Sequence, residues 1–297
     1  MATTSTTAAA VRPEIAARPT TARRRVPPAV FFKHAFLIAL TLIWLIPIAA
    51  AFVTSFRTMD DITTNGFWSM PQNLTLLNFQ RAWTTARVGN YLLNSFIITL
   101  PALVGMLFLS SLSAYALARF RFRLNLPIYF MFVAGTMLPF QILLLPVFAL
   151  TKSLGLYDTH LALILIHTAF QLGFCTFVLR NFMRTVPSEI FDAAKVDGAS
   201  EFRSYWRIML PLSLPAMAAL ATLEFTWVFN DYLWAIILLS SDSLKPVTAG
   251  LANLRGQFNT DWPVITAGAL LATLPTLIVF AFLQRYFIQG LTLGSGK

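Results

Sequence analysis

Pro187-Ser188-Glu189-Ile190-Phe191-Asp192-Ala193-Ala194-Lys195-Val196-Asp197-Gly198-Ala199, followed by Ile208-Met209-Leu210-Pro211, is a polar segment set between two strongly apolar ones. It predicts a short helix, a turn and a second helix. Pro187 suits a first helical turn, where a backbone N–H has no intrahelical partner, and Glu189 and Asp192 lie near the positive end of the helix dipole. Gly198 supplies the backbone freedom that ends such a helix, and Ser200 can cap the next. In that second helix Phe202, Tyr205, Trp206 and Met209 fall at i, i+3, i+4 and i+7, which makes one apolar stripe. Ala193 and Ala194 leave the first helix narrow enough for a groove, while Lys195 and Asp197 add charge at its end. Two readings follow: a docking element for another protein, or an amphipathic helix lying on a membrane.

The surroundings are those of a membrane protein. Of the 297 residues, 57% are hydrophobic and 11% charged, with 27 Phe and a mean hydropathy of +0.68, far from a soluble domain. Apolar runs long enough to cross about 30 Å of hydrocarbon predict an all-α protein of about six transmembrane helices, near 31–55, 91–118, 126–150, 161–182, 212–239 and 264–287. Basic residues flank alternate loops: Arg12, Arg18, Arg23, Arg24, Arg25 and Lys33; Arg119, Arg121 and Arg123; Arg180, Arg184, Lys195, Arg203 and Arg207; Arg285 and Lys297. Since Lys and Arg are retained on the cytoplasmic side, both termini and the 185–211 segment are expected in the cytoplasm. The net charge of +10 is thus assigned to topology rather than nucleic acid, because no aromatic interleaving accompanies it outside the spans. Cys175 is the only cysteine and falls inside a predicted span, so no disulfide framework and no cysteine metal site is expected.

Residues 1–28 are rich in Thr, Ala, Pro and Arg, the composition of a disordered tail. The run Arg23-Arg24-Arg25 before an apolar stretch mimics a signal peptide, but the stretch is too long and more spans follow, which favours an uncleaved first span. Residues 57–90 form an expected external loop long enough for a short surface helix, and 240–263 a second one able to reach an external partner. The transmembrane domain is placed at 29–290 and a cytoplasmic tail at 291–297. No 20–50-residue repeat is found, which weakens an inverted-repeat carrier.

The motif Glu189-x-x-Asp192-Ala193-Ala194-x-x-Asp197-Gly198-Ala199, then Ile208-x-Leu210-Pro211-Leu212-x-x-Pro215, resembles the cytoplasmic EAA loop of binding-protein-dependent ABC importer permeases. Within them the chain is similar to the shorter, maltose-type carbohydrate permease. Asn94-Ser95, Asn230-Asp231 and the end Gln284-Arg285-Tyr286-Phe287-Ile288-Gln289-Gly290-Leu291-Thr292 add to the likeness. Asp192 stands where the family usually has Glu, a shorter carboxylate. The resemblance implies a type I ABC importer transmembrane domain in the cell membrane, and a non-catalytic subunit without cofactors. Its implied partners are a second permease in a heterodimer, a cytoplasmic ATPase dimer, an extracytoplasmic solute-binding protein, membrane lipid and a sugar substrate. It further implies that Glu189, Asp192, Ala193, Ala194, Asp197, Gly198, Ala199, Leu210 and Pro211 couple the chain to the ATPase, with Gly198 setting the turn and Pro211 and Pro215 marking re-entry into the bilayer.

In the predicted fifth span Glu224, Trp227, Asp231 and Trp234 recur at i, i+3, i+7 and i+10, with Asn230 adjacent. That spacing places two carboxylates and two indoles on one helical face. Charges at membrane depth face a bundle interior or water, and carboxylates with Trp faces suit sugar hydroxyls and apolar sugar faces. The same residues also suit pairing with neighbouring helices and interfacial packing. His167 and Gln171 share one face of the fourth span. No His cluster has metal spacing, and Gly294-Ser295-Gly296-Lys297 lacks the rest of a phosphate-binding loop. An ion-coupled carrier using Glu224 and Asp231, a membrane-embedded enzyme, or a permease for a glycerol phosphate or polyol are the competing classes.

Overall fold

A computed structural model describes residues 28–254 and 260–293, with side chains over 30–254 and 260–284. The expected tail up to residue 27, the last residues from Gly294 with the phosphate-loop fragment, and Arg255 lie outside the described residues, as does the side chain of Arg285. The chain divides into two units, 1–48 and 49–297, and the division falls within helix α1 (Pro28–Ser55). In the first unit α1 exposes its side chains from Val30 onward, Phe31, Phe36 and Trp44 among them. A helix apolar all round and unburied is one that lipid or another chain must cover.

Among its described residues the regular structure of the second unit is helical, apart from one bridge between Arg57 and Leu74. Short helices α2 (Met59–Asn65) and α3 (Leu77–Thr84) precede α4 (Val88–Arg119), and α4 packs along α7 (His160–Met183). Then come α8 (Ser188–Val196), α9 (Glu201–Ser204), α10 (Leu210–Phe229), α11 (Leu233–Leu238), α12 (Val247–Asn253) and α13 (Trp262–Leu293). Among the described residues, five helical stretches are long and apolar enough to cross a membrane: Val30–Ser55, Val88–Arg119, His160–Met183, Glu201–Phe229 and Trp262–Gln284. Between α4 and α7 lies a broken one.

That broken stretch corrects the expected third span. α5 (Asn125–Met137) and α6 (Leu144–Ser153), joined by a 3₁₀ turn at Phe140–Leu143, are bent by 92° instead of forming one helix. The cause is local. Pro139 crowds the residue before it out of the helical region, and Leu138 is extended at φ −72°, ψ 129°. Counting the bent pair as one span gives six.

The fifth span is corrected too, at both ends. Helical backbone begins at Glu201 rather than near residue 212 and stops at Phe229 rather than 239. Pro211 brings no N–H to the helix, and the turn just before it, Tyr205–Met209, widens to a π-helix in which Leu210 N donates to Tyr205 O. At the far end the Asn230 side chain turns back to donate to Thr226 O at 2.8 Å, and Asp231 gives its carboxylate to the amides of Trp234 and Ala235. Such side-chain competition for backbone partners ends helices.

The 57–90 loop holds two helices rather than one, organised by a buried arginine. Arg57 donates to the Asp61 carboxylate at 2.7 Å, to Phe67 O at 2.8 Å, to Gly66 O at 3.1 Å and to Ser69 Oγ at 2.7 Å. Asn78 on α3 donates to Ser55 O and Arg57 O. The guanidinium, with help from the Asn65 amide, holds the Asp61 carboxyl below its usual range against the opposing effect of burial. A depressed folded pKa contributes stability that is present above the unfolded value of about 3.9 and lost as pH falls through the folded one. Protection of residues 66–69 from proteolysis should therefore be the same at pH 5 and pH 7, and Arg57→Ala should abolish it at both.

Close helix contact sets the wall used below. A Cβ on Gly173 of α7 would lie 2.7 Å from Phe132 O of α5, so only glycine lets those backbones meet. Gly173→Ala is expected to cost about 1–3 kcal/mol through overpacking, read as a lowered melting temperature in detergent.

Candidate functional site

Two regions carry the candidate residues. The first is the turn around α8. Pro187 flanks this helix instead of entering its first turn, because its ψ of 138° is extended. Phe191 is 1% exposed, with the Arg119 guanidinium 3.9 Å above its ring, and so pins the helix to the end of α4. Glu189, Asp192, Ala193 and Lys195 are exposed, Ala194 is half-buried, and Val196 is 88% exposed. Such a helix is anchored by one aromatic and presents the rest.

The turn itself is a Schellman motif. Gly198 N donates to Lys195 O, Ala199 N donates to Ala194 O, and Gly198 adopts φ +77°. Nothing lies within 4 Å of a Cβ built at Gly198, so backbone angle rather than space demands glycine there. After Asp197 closes the helix, Ser200 Oγ accepts from Arg203 N, which is the expected cap. Lys195 pairs with Glu201 at 2.8 Å, Tyr115 of α4 donates to the Glu201 carboxylate, and Tyr205 bonds Ser111 of α4 at 2.6 Å. The turn is thereby tied to two spans.

The expected apolar stripe divides. Tyr205 and Met209 join the buried core, whereas Phe202 and Trp206 are exposed and pack on one another at the surface. Leu210 and Pro211 lie past that turn at the start of α10, and the structure does not place them in the α8 turn with the other coupling candidates.

The second region is a cavity of about 310 Å³ where α7, α10 and the α5–α6 bend meet. Glu224, Trp227, Asp231 and Trp234 all line it, with His167 and Gln171 from α7 opposite. The four residues grouped from the sequence do share one cavity, but not as one helical face, which cannot run from 224 to 234 when the helix ends at Phe229. Asp231 and Trp234 reach the cavity because the chain breaks and α11 turns back. Asn230 does not line it.

Inside, Glu224 is 2% exposed and its Oε2 has no hydrogen-bond partner among the described residues. His167 Nε2 lies 3.6 Å from Asp231 Oδ2, an ion-pair distance beyond a good hydrogen bond. The Trp234 ring packs on Phe170 and Phe140, while Trp227 is 61% exposed at the open side. An apolar, aromatic wall with a few convergent polar groups is the usual make-up of a small-molecule site.

Sequence reasoning missed what holds the segment after α11. Asp158, at φ +61°, accepts from the amides of Ser240 and Ser241, each at 2.9 Å, and from the Ser241 hydroxyl. Tyr91 donates to Asp242 at 2.7 Å, Asn94 to Ser243 O and Lys245 O, and Val247 N to Ser95 Oγ. Thr248 donates to Asp231 O, which joins this clamp to the cavity wall. Asn94-Ser95 at the start of a span was the available signal, and Asp158 gave none. Hydrogen bonds from Ser241 hold the Asp158 carboxyl below its usual range, and the Tyr91 hydroxyl does the same for Asp242.

Because Asp231 caps α11, Asp231→Ala should cost about 1 kcal/mol, the loss of a capping acceptor, whereas Asp231→Asn keeps an acceptor and should melt within a degree or two of the parent. Thermal unfolding of both variants in detergent reads the difference.

Residues 106–293 match the model of the binding-protein-dependent transport system inner membrane component family. The osmoprotective compounds uptake permease GgtD of Synechocystis is 35% identical over 271 residues, 89% of this chain and 91% of that one. The diacetylchitobiose uptake permease NgcG of Streptomyces coelicolor is 32% identical over 265 residues, 89% and 87% of the two chains. A bacterial ABC transporter involved in import of the acidic polysaccharide alginate contains a chain of like fold, with a TM-score of 0.78 at 21% identity over 89% of this chain and 99% of that one. The match over most of the helical unit, together with relatives above 30% identity along nearly their whole length, makes this chain a binding-protein-dependent ABC importer permease, an inner-membrane transport component.

Proposed function

We propose that this permease forms a heterodimer with a second permease and carries a sugar or oligosaccharide, handed over by an extracytoplasmic binding protein, across the cell membrane. A separate cytoplasmic ATPase dimer supplies the energy, and this chain itself catalyses nothing. Both termini and the α8 turn lie in the cytoplasm, as the placement of the basic residues favours. The observation that carries the reading is α8: an exposed helix with Glu189, Asp192 and Ala193 outward, fixed by Phe191 and by the Gly198 turn.

In this reading the ATPase grips α8, and closure of its dimer displaces the helix. Movement reaches α4 through Arg119 on Phe191, Tyr115 on Glu201 and Ser111 on Tyr205. It reaches α10 directly, since the helical stretch Glu201–Phe229 begins just after the turn and carries Glu224 on the cavity wall. Packed helices and contacts of this kind are what carry coupling between distant sites. A relative named for diacetylchitobiose uptake supports a sugar, with a polyol or glycerol phosphate as the second reading.

Two variants test this in proteoliposomes holding the whole importer. Gly198→Val, which cannot hold φ +77° without strain, should reduce ATP-driven uptake at least tenfold while the subunits still copurify. Full uptake by that assembled variant would remove α8 from coupling. Asp231→Asn should change uptake while ATPase stimulation by the loaded binding protein stays intact, and unaltered uptake would take Asp231 off the path.

A further inference from the structure

The cavity combines aromatic surface with a specific charge pattern. Glu224 and Asp231 supply carboxylates, and among the described residues that line it there is no Lys or Arg. The one side chain able to become cationic is His167, and it already faces Asp231 at 3.6 Å. Glu224 lines the cavity with no positive counterpart among the lining residues, and its buried Oε2 has no hydrogen-bond partner among the described residues. Whatever the protonation of Glu224, the wall offers hydrogen-bond acceptors, Thr136 and Gln171 as further polar groups, and no free cation.

A negatively charged solute in such a place would lose its hydration and gain no compensating charge. A neutral polyhydroxylated solute would give O–H donors to Glu224 and Asp231 and lay its apolar face on Trp227 or Trp234. An amino sugar or another cation would gain attraction as well. We propose that this cavity selects by charge, admitting neutral or positively charged polyhydroxylated solutes and excluding anionic ones such as uronates and sugar phosphates. The proposal rests on the reading of the cavity as part of the transport path.

The test uses the complete importer in detergent with a thiol placed at Leu223→Cys, a lining position that carries no charge, and separately at Trp227→Cys on the open side. Each is labelled with a trimethylammonium-bearing and a sulfonate-bearing methanethiosulfonate, and modification of this chain is read by mass spectrometry. Met70→Cys, at a residue 84% exposed, gives the reference ratio of the two rates. The cationic reagent should be favoured at least tenfold beyond that reference at one or both cavity thiols. Glu224→Gln combined with Asp231→Asn should bring the ratio to within twofold of the reference.

Equal ratios at Met70→Cys and both cavity thiols, a bias untouched by the double neutralisation, or a cavity that neither reagent enters would overturn charge selection. Protection from labelling separates this from the path reading. A neutral trisaccharide at tens of millimolar should slow labelling, and its uronate counterpart should not. Bias without protection by any saccharide would defeat the path reading and leave the electrostatic wall standing. Protection by both saccharides alike would defeat charge selection alone.

Discussion

A backbone amide that leaves a helix inside an apolar bundle must find another partner, because neither lipid nor packed side chains can supply one. This chain leaves its helices at two points that both line the cavity. At the α5–α6 bend, Pro139 has no amide to satisfy and its carbonyl accepts from Ile142 N at 3.1 Å. At the end of α10, Asp231 N donates to Val228 O, the Asp231 carboxylate takes the amides of Trp234 and Ala235, and Thr248 donates to the Asp231 carbonyl. The residues that make the breaks affordable are the residues, or neighbours of the residues, that shape the site.

Arrangement of the rest follows from those two breaks. The helical stretch Glu201–Phe229 links the α8 turn to the cavity, and the clamp around Asp158, Asp242 and Asn94 holds the segment that continues from α11. Small residues set the spacing: Gly173 lets α5 approach α7, and Gly250 of α12 sits where any Cβ would fall within 2.3 Å of the Tyr91 ring. Helix packing in membranes relies on such close approach because lipid provides little hydrophobic drive between helices.

Much of this could be read in the chain. Hydrophobic length gave the spans and their order, and the Pro187–Ala199 segment gave a helix and a glycine turn that the structure contains almost residue for residue. The failures have a common physical cause. Length and hydropathy cannot tell a straight apolar helix from one bent at Leu138-Pro139, nor can they end a helix at Phe229 inside a run that stays apolar to Leu239. In each case the deciding signal was a single polar or proline residue competing for backbone partners, which a 20-residue average erases.

Asp231 and Glu224 line the same cavity in different ways. Helical periodicity placed Asp231 beside Glu224, but in the folded chain it caps α11, faces His167 and receives the Thr248 hydroxyl at its carbonyl. Glu224 caps no helix: it is buried on an intact one, beside Cys175 and with one oxygen unpartnered. A buried carboxyl with an unpartnered oxygen is costly, and an ionisable group kept at membrane depth faces a bundle interior or water. Of the two acids, Asp231 is bound into the fold on several sides, whereas Glu224 leaves an acceptor without a partner among the described residues.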